Sequence, residues 1–482
     1  MQHRITHQKI VIFVFSCSYT EKNLNQYYLN LIQNIMKKFL SFIVLFVFIM
    51  SGIAVAQDGW TNLFNGKDLT GWEQLNGEAK YDVVDGMIVG TTVMNTPNSF
   101  IRTEKVYSDF VFEVELLVEE NMNSGIQFRS ESKADYNNYR VHGYQCEVDP
   151  SDRAWSAGIY DEARRGWLYP LTLNPDAQSA LKMGEWNKYR IECIGSSIKT
   201  WLNGVAVAHV IDDMTLEGFI ALQVHGIGTK KEKEGQQIKW KNVRIKTKNL
   251  KPSKGEGIYV ENLLANNLSD GEKEQGFSLL FDGESTKCWK SANADEFPGQ
   301  GWEVKDGVLS VLDSGGDKTK KGGDIVTKKE FGAFELKFEF NFSEGANSGI
   351  KYGLGNNGPS LGLEYQILDD AKHPDAKMGA AGNRTLASLY DLIPAEKERR
   401  FIKGAGEWNR GRIIVYPCGT VQHWLNGRKV VEYTRGNAIY KALIARSKYA
   451  KHKDFGVAEK GPILIQDHNN FVQFRSMKIR EL

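Results

Sequence analysis

Two short segments of this 482-residue chain each place one carboxylate and one amide on the same face of an extended strand. The pairs are Glu364 with Gln366 and Gln145 with Glu147. Alternate side chains of a strand point the same way, so the members of each pair share a face. A carboxylate in such a position can serve as a general acid or base, and the amide can bind polar groups beside it. The order of the two residue types is exchanged between the segments.

The sequence lacks the motifs of several well-known kinds of site. HExxH, CxxC and calcium-loop spacings are missing, and Gly353-Leu354-Gly355 lacks the Gly-Lys-Ser/Thr ending of a phosphate loop. We find no serine or cysteine nucleophile motif. The formal net charge of +2 gives no reason to expect nucleic acid as a partner. These observations favour a small, neutral ligand.

The same ordered motifs occur in both halves of the chain at a period of about 220 residues. The pairs include Phe64-Asn65-Gly66 with Phe281-Asp282-Gly283, Asn123-Ser124-Gly125-Ile126 with Asn347-Ser348-Gly349-Ile350, Ile159-Tyr160-Asp161 with Leu389-Tyr390-Asp391, Trp201-Leu202-Asn203-Gly204 with Trp424-Leu425-Asn426-Gly427, and Gln223-Val224-His225 with Gln466-Asp467-His468. This period is too long for a solenoid, so the repeat indicates a duplicated domain.

Local patterns predict strands in both halves. Apolar and polar residues alternate from Phe110 to Val118 and from Phe334 to Phe342, which predicts two half-buried strands. The dipeptides Asn203-Gly204 and Asn426-Gly427 are typical of tight hairpin turns. No long amphipathic helix is evident, so we predict an all-β fold with one two-sheet sandwich or jelly roll in each half.

The N-terminal region predicts export. Met36-Lys37-Lys38, the apolar run 39–50 and Ala54-Val55-Ala56 resemble a signal peptide at 36–56, which makes 1–35 an incorrectly assigned upstream start. We therefore expect a periplasmic or secreted protein with no membrane span in its mature part. The first domain is predicted at 58–248, a linker at 249–275 and the second domain at 276–482. Within the linker, a short helical turn is expected near Val260 to Asn266. Four of the five cysteines, Cys146, Cys193, Cys288 and Cys418, lie in the mature part and are expected to be free and buried.

The repeated motifs resemble the 3-keto-disaccharide hydrolase domain family. The resemblance rests on Leu63-Phe64-Asn65-Gly66 with Trp72, on the Asn-Ser-Gly-Ile, Gly-Glu-Trp-Asn and Trp-Leu-Asn-Gly motifs, and on the closing Gln-x-His. It covers nearly all of the mature chain, once in each half. It implies two tandem concanavalin-like jelly-roll β-sandwiches and an enzyme that cleaves sugars carrying a ketone at carbon 3, with Glu364 and Gln366 on the concave face.

The implied chemistry differs from ordinary glycoside hydrolysis, which needs two opposed carboxyl groups. A ketone at carbon 3 acidifies the proton on carbon 2, so one base can start an elimination that water later completes by addition. Such a site needs a base, a proton donor and a group that stabilises the enolate. In the second half we expect Glu364 or Asp391 as base, His468 as acid or metal ligand, and Lys351 or Arg384 near the enolate.

The first half offers a matching set. Its members are Glu147 or Asp161 as base, His225, and Arg129 or Arg165. The remaining candidates for substrate binding are polar or aromatic: Gln366, Tyr390, Gln145, Tyr160, Trp155 and Trp167. A divalent metal is a further option, with Glu364, Asp369, His373 and His468 as its ligands.

Structural explanations compete with these roles. Each glutamate can pair with a neighbouring strand, each histidine can be structural, and each Tyr-Asp dipeptide can cap a turn. At the level of the whole protein, a non-catalytic tandem carbohydrate-binding protein is the main alternative to an enzyme. A conventional endo-glucanase is disfavoured, because the acidic pattern at Glu147-Val148-Asp149 is not kept in the second half.

Overall fold

A computed structural model describes residues 59–119, 122–355 and 358–482. The predicted upstream segment at 1–35 and the predicted signal peptide at 36–56 lie outside these described residues. Residues Trp60–Leu482 form one compact unit. No helix in the described part of the chain is both long enough and apolar enough to span a membrane.

The first half is built of antiparallel strands. They are β1 Trp60–Asn62, β2 Trp72–Leu75, β3 Lys80–Val84, β4 Met87–Thr91, β5 Ser99–Thr103, β6 Phe110–Val118, β7 Ser124–Glu131, β8 His142–Val148, β9 Ile159–Glu162, β10 Gly166–Tyr169, β11 Asn187–Ile194, β12 Ser197–Leu202, β13 Val205–Ile211, β14 Phe219–Val224 and β15 Gln237–Lys246. One sheet has the order β10-β9-β8-β7-β14-β5-β2. In the other, the strands run β13-β12-β11-β6-β15-β4-β3.

The second half repeats this plan after a short connecting strand, β16 Glu261–Asn262. Its strands are β17 Ser278–Leu279, β18 Trp289–Ser291, β19 Trp302–Lys305, β20 Val308–Val311, β21 Ile325–Phe331, β22 Phe334–Phe342, β23 Asn347–Tyr352, β24 Leu363–Leu368, β25 Asn409–Val415, β26 Thr420–Leu425, β27 Arg428–Thr434, β28 Gly461–Ile465 and β29 Val472–Glu481. The sheets have the orders β18-β21-β28-β23-β24 and β19-β20-β29-β22-β25-β26-β27.

Each half has its own hydrophobic core between its two sheets. Phe112 on β6 and Ile126 on β7 belong to one core cluster, and Leu336 on β22 and Ile350 on β23 belong to another. Burying apolar side chains from facing sheets is what holds a sandwich together. The predicted pair of concanavalin-like jelly-roll β-sandwiches is confirmed.

The predicted hairpin turns are also confirmed. Asn203 and Gly204 have φ values of 52° and 84°, and Asn426 and Gly427 have 49° and 81°. Two consecutive positive φ values match the right-handed twist of the flanking strands, and asparagine followed by glycine adopts them at low cost. The turns bring Leu202 opposite Val205 and Leu425 opposite Arg428.

The prediction that β6 and β22 are half-buried is wrong, because their polar residues are buried as well. Glu113 on β6 is 5% exposed and accepts hydrogen bonds from Arg190 and Arg244 on the flanking strands. Glu335 on β22 is 1% exposed and is bonded in the same way by Arg412 and Arg480. The long arginine side chains cover the outer face of each strand while pairing with its glutamates.

Between the halves, the segment 249–275 is ordered and packs against both. It contains β16, which pairs in parallel with β13, and the helix α1 Asp270–Glu274, which begins at a capping box on Ser269. The short helical element thus begins at Asp270, beyond the expected region. A second helix, α2 Ala438–Ala445, belongs to an insertion in the second half.

Short 3-10 helices occur at Leu171–Leu173, Pro175–Ser179, Lys231–Lys233, Lys318–Lys320, Pro374–Lys377 and Arg399–Phe401. The four described cysteines are free, as predicted. Cys146 and Cys193 are buried, Cys288 is half-buried and Cys418 is exposed in a turn. The expectation of burial is therefore met by Cys146 and Cys193, met in part by Cys288 and wrong for Cys418.

Candidate active site

Strands β23 and β24 bring Glu364 beside a lysine. Their antiparallel register sets Lys351 opposite Glu364. The Lys351 ammonium lies 4.0 Å from Glu364 Oε2 and donates a hydrogen bond to the Ser360 carbonyl at 3.2 Å. Burial raises the pKa of Glu364, and the positive charges of Lys351 and Lys448 partly oppose that rise. A carboxylate with a raised pKa is a stronger base once it has ionised.

Glu364 lines a cavity of about 410 Å³, here called the second cavity. The other candidates from the sequence that line it are Lys351, Gln366, His373, Tyr390 and His468. The buried oxygens Gln366 Oε1 and Gln466 Oε1 have no hydrogen-bond partner among the described residues. Buried acceptors are rarely left unsatisfied, so both are suited to accept hydrogen bonds from the hydroxyl groups of a ligand.

The Asn-Ser-Gly-Ile motif explains how the glutamate lies flat on the sheet. A Cβ atom added at Gly349 would stand 2.4 Å from Glu364 Oε1, so only glycine leaves room for the carboxyl group. The neighbouring Ser348 donates a hydrogen bond to the Gln466 carbonyl at 2.7 Å and ties β23 to β28. The first half is built alike, since a Cβ at Gly125 would stand 2.3 Å from the Gln145 side chain.

Asp391 and Arg384 lie behind the wall of the second cavity rather than on it. Asp391 Oδ1 accepts a hydrogen bond from Arg384 Nε at 2.7 Å, and its Oδ2 accepts one from the Lys448 backbone at 3.0 Å. Arg384 also donates to Asp375 at 3.0 Å, and neither Asp391 nor Arg384 lines the cavity. These contacts favour a role in positioning Lys448 and Asp375 over direct contact with a substrate.

Lys448 is the functional candidate that sequence reasoning missed in the second half. It lies in the insertion that contains α2, lines the cavity, and has its ammonium 4.1 Å from the centre of the Tyr390 ring. Burial lowers the pKa of Lys448, and Glu364 opposes that shift. The first half has no matching insertion, so the repeat gave no signal for this residue.

Two histidines face each other at the edge of the second cavity. The ring centres of His468 and His373 are 6.1 Å apart. Burial lowers the pKa of His468, and the nearby His373 lowers it further, so the ring is neutral near pH 7. A neutral imidazole here can exchange hydrogen bonds with a ligand.

The first half contains a larger cavity of about 900 Å³, here called the first cavity. Most of the predicted residues of this half line it: Glu147, Gln145, Tyr160, Arg165, Trp167 and His225. Burial lowers the pKa of His225, as it does for His468. Six of the candidates named from the sequence of this half thus line one cavity.

A chain of amide groups orients Glu147. Gln127 and Gln223 donate hydrogen bonds to Gln145 Oε1 at 2.6 and 3.0 Å, and Gln145 in turn donates to Glu147 Oε2 at 2.9 Å. Asn123 donates to the other oxygen, Glu147 Oε1, at 2.7 Å. Burial raises the pKa of Glu147 to about 7 despite these bonds. The carboxyl group therefore changes its charge near neutral pH.

Asp161 and Arg129 lie outside the first cavity. Asp161 is fully buried, and its two oxygens accept hydrogen bonds from Arg164 at 2.7 Å and Arg165 at 2.6 Å. It therefore holds these two arginines, which do line the cavity. Arg129 is also fully buried and donates to the carbonyls of Ser108 and Gly195, so its predicted place near an enolate needs correction.

Trp155, a candidate for substrate binding from the sequence, is instead a packing residue. It is 3% exposed and does not line the cavity. The centre of its ring lies 4.8 Å from that of Trp167 and 5.7 Å from that of Phe401 in the second half. Trp155 thus supports Trp167, which faces the cavity.

Glu162 is a second carboxyl group on the wall of the first cavity that sequence reasoning missed. It lies on β9 two residues beyond Tyr160, on the same face, and burial raises its pKa. Its counterpart in the repeat is the apolar Leu392, which explains why the comparison of the halves did not reveal it.

The proposed metal ligands do not converge. Asp369 accepts hydrogen bonds from the backbone of Gly345 at 2.8 Å and of Ala371 at 3.0 Å, which uses both of its oxygens in a loop. Within the described ranges, no group of three or more His, Cys, Asp or Glu side chains is arranged to hold a metal ion. Glu364, Asp369, His373 and His468 therefore do not fit a common metal site in this structure.

Comparison with known proteins identifies the family of this chain. A family model described as the 3-keto-alpha-glucoside-1,2-lyase-like domain matches residues 59–246 and 276–480. The chain belongs to this family. A 3-keto-disaccharide hydrolase of Bacteroides thetaiotaomicron is 34% identical over 232 residues, which are 43% of this chain and 79% of that protein. Membership makes the protein glycoside hydrolase-like.

Solved structures resemble the 3-keto-alpha-glucoside-1,2-lyase-like domains of this chain. A "putative glycosyl hydrolase" from Parabacteroides distasonis is 31% identical, covers 45% of this chain and 99% of its own, and has a TM-score of 0.40. A second from the same organism is 26% identical, covers 43% and 99%, and has a TM-score of 0.32.

The two 3-keto-alpha-glucoside-1,2-lyase-like domains differ in where they hold the carboxylate. Register places Gln145 opposite Gln127 in the first domain and Glu364 opposite Lys351 in the second. An ion pair in one copy is thus replaced by a pair of amides in the other. The carboxylate of the first domain, Glu147, occupies the position of Gln366.

Proposed function

We propose that this protein is an exported carbohydrate-active enzyme that cleaves 3-keto glycosides, including disaccharides, in its second cavity. The observation that carries the proposal is the buried Glu364, whose pKa is raised, together with Lys351 and Lys448 on the same cavity wall. One base flanked by two cations suits an elimination through an enolate, in which a proton leaves carbon and negative charge develops on oxygen.

The other acidic side chain of this cavity supports the same reading. Asp375 accepts hydrogen bonds from Tyr390 at 2.7 Å and Arg384 at 3.0 Å. Burial opposes ionisation, but these bonds hold the pKa of Asp375 below its usual range. Asp375 is therefore ionised and bound, which makes it a poor proton donor. Ordinary hydrolysis would need Asp375 as nucleophile or base beside a protonated Glu364. Both Asp375 oxygens are instead engaged by Tyr390 and Arg384, which favours a positioning role for this carboxylate.

The proposed reaction starts when Glu364 removes the proton from carbon 2 of the keto sugar. The electron pair forms an enolate whose oxygen charge is stabilised by Lys351. The enolate then collapses to the ketone, a double bond forms between carbons 1 and 2, and the glycosidic oxygen leaves. Lys448 protonates that oxygen, a role that its lowered pKa favours.

Hydration completes the cleavage. Water adds its hydroxyl group to carbon 1 with neutral Lys448 as base, and carbon 2 regains a proton from Glu364. The net change is hydrolysis of the glycosidic bond, and both side chains return to their starting states. If the unsaturated sugar leaves before water adds, the same site acts as a lyase. Gln366, His468 and Tyr390 are proposed to bind the sugar.

In the first cavity, Glu147 is the proposed base, with Gln145, Tyr160, Arg165 and Trp167 as binding residues. Glu162 also supports a second candidate function there. Hydrolysis of an ordinary, unoxidised glycoside needs two carboxyl groups, one as acid and one as nucleophile or base, and Glu147 and Glu162 both line this cavity.

Product analysis separates these candidates. Purified protein is incubated with a panel of 3-keto disaccharides and with the unoxidised parent sugars. We expect cleavage of the keto sugars alone, whereas cleavage of the parents would favour the two-carboxylate reaction. Affinity without cleavage would contradict an enzymatic role and leave carbohydrate binding as the function.

Export is proposed from the predicted signal peptide at 36–56, with the periplasm or the medium as destination. Fractionation of cells that express the full-length gene tests this point. Mature protein beginning at Gln57 outside the cytoplasm supports export, and uncleaved protein in the cytoplasm contradicts it.

A further inference from the structure

The first cavity has a wall that belongs to the other half of the chain. Arg400, Phe401 and Lys403, from the segment that follows β24, line it together with the residues of the first domain. By contrast, the residues that line the second cavity all belong to the second half. The two cavities are therefore completed in different ways.

Hydrogen bonds fix this wall against the first domain. Lys403 Nζ donates to the Arg165 carbonyl at 2.7 Å, and Arg410 donates to the carbonyls of Trp167 at 3.0 Å and Leu168 at 3.1 Å. Trp167 and Leu168 lie on β10, the edge strand of the site-bearing sheet. A guanidinium group that binds free edge carbonyls protects the edge and holds the second half in place.

Within the first cavity, side-chain contacts connect the proposed base, Glu147, with the wall contributed by the second half. Arg153 Nη2 lies 3.8 Å from Glu147 Oε1, and the Arg153 guanidinium stacks on Trp167 at 4.9 Å. Behind Trp167, the Trp155 ring contacts Phe401. Arg400, whose side chain is 59% exposed, pairs with Glu398 through one guanidinium nitrogen at 2.8 Å and lines the cavity on the wall from the second half.

We propose that the first cavity is a composite site of both halves that takes a longer glycan than the second cavity, with Arg400 binding the part remote from the reacting ring. Its volume of about 900 Å³, against about 410 Å³, gives the room for additional sugar units. Aromatic faces beside charged hydrogen-bond donors are suited to sugar rings and their hydroxyl groups. The substrate class, a 3-keto oligosaccharide, rests on the proposed function.

The test measures chain-length preference with the second cavity silenced. In the Glu364→Gln background, kcat/KM is measured for maltose and maltotriose, each oxidised at carbon 3 of the non-reducing glucose. We expect a preference for the trisaccharide, and we expect Arg400→Ala to reduce that preference about tenfold through the loss of a charged hydrogen bond. Arg399→Ala is the matched control, because Arg399 is exposed in the same segment but does not line the cavity.

Two results would overturn the composite site: the absence of a trisaccharide preference, or an equal effect of the two arginine variants. Calorimetry on the Glu147→Gln, Glu364→Gln double variant gives a readout that does not need turnover. A weaker affinity for the keto trisaccharide in Arg400→Ala, but not in Arg399→Ala, supports the composite site even if no cleavage occurs and the proposed function fails. Equal affinities contradict it.

Discussion

Replacing Glu147 by glutamine should change the pH dependence of stability. Burial raises the pKa of Glu147 from 4.5 to about 7. Below pH 4 the group is protonated in the folded and unfolded states, so it contributes no difference. Between about pH 4.5 and 7 the unfolded chain ionises first, and the folded state loses stability as the pH rises. At about 1.4 kcal/mol per pKa unit the loss is about 3 kcal/mol, and it stays constant above pH 7.

Glu147→Gln removes this titration but keeps the size of the side chain. Its altered hydrogen bonds to Asn123 and Gln145 add a term that does not depend on pH. Urea unfolding of both proteins, measured at pH 4 and at pH 8, separates the two contributions. The stability of the variant relative to the wild type should rise by about 3 kcal/mol from the lower to the higher pH. A difference that does not depend on pH would refute the raised pKa.

The second cavity gives three further predictions. In the Glu147→Gln background, Lys448→Met should lower kcat for 3-keto disaccharides at least about 100-fold, because the proton donor is lost. The control Lys451→Met, at an exposed position, should leave kcat unchanged. Comparable rates in both variants would contradict the role of Lys448. Gly349→Ala should displace Glu364 and destabilise the fold by about 1–3 kcal/mol, which thermal unfolding would show. Gly255→Ala is the control and should have little effect, because nothing lies within 4 Å of the added Cβ. In the Glu147→Gln background, kcat/KM should rise with pH through a pKa above that of an ordinary glutamate, because burial raises the pKa of Glu364; a profile that is flat above pH 5 would contradict the assignment.

The sequence was sufficient for the fold because its signals are local and occur twice. Asn203-Gly204 and Asn426-Gly427 specify their turns through backbone conformation alone. The reversed order of the carboxylate and the amide was also visible in the sequence: Glu364 precedes Gln366 in one half, whereas Gln145 precedes Glu147 in the other. Alternation along a strand predicts that the two members of each pair share a face. The register between β7 and β8 places Gln127 opposite Gln145, and the register between β23 and β24 places Lys351 opposite Glu364.

Long-range contacts could not be predicted in this way. Lys448 reaches the second cavity from an insertion far along the chain, and Arg400 reaches the first cavity from the other half. Arg129 and Asp161 had suitable residue types, but their charges are used in buried hydrogen bonds that only the folded structure reveals. Residue type and repetition therefore predicted where a cavity lies better than which residues complete it.

The central claim is that a glutamate removes the proton from carbon 2 of a 3-keto sugar. The direct test is the rate of cleavage of a 3-keto disaccharide that carries deuterium at carbon 2, compared with the unlabelled sugar, in the wild type and in the Glu147→Gln, Glu364→Gln double variant. We predict slower cleavage of the deuterated sugar by the wild type and loss of cleavage in the double variant. Equal rates for the two sugars, together with cleavage that survives both substitutions, would contradict the account.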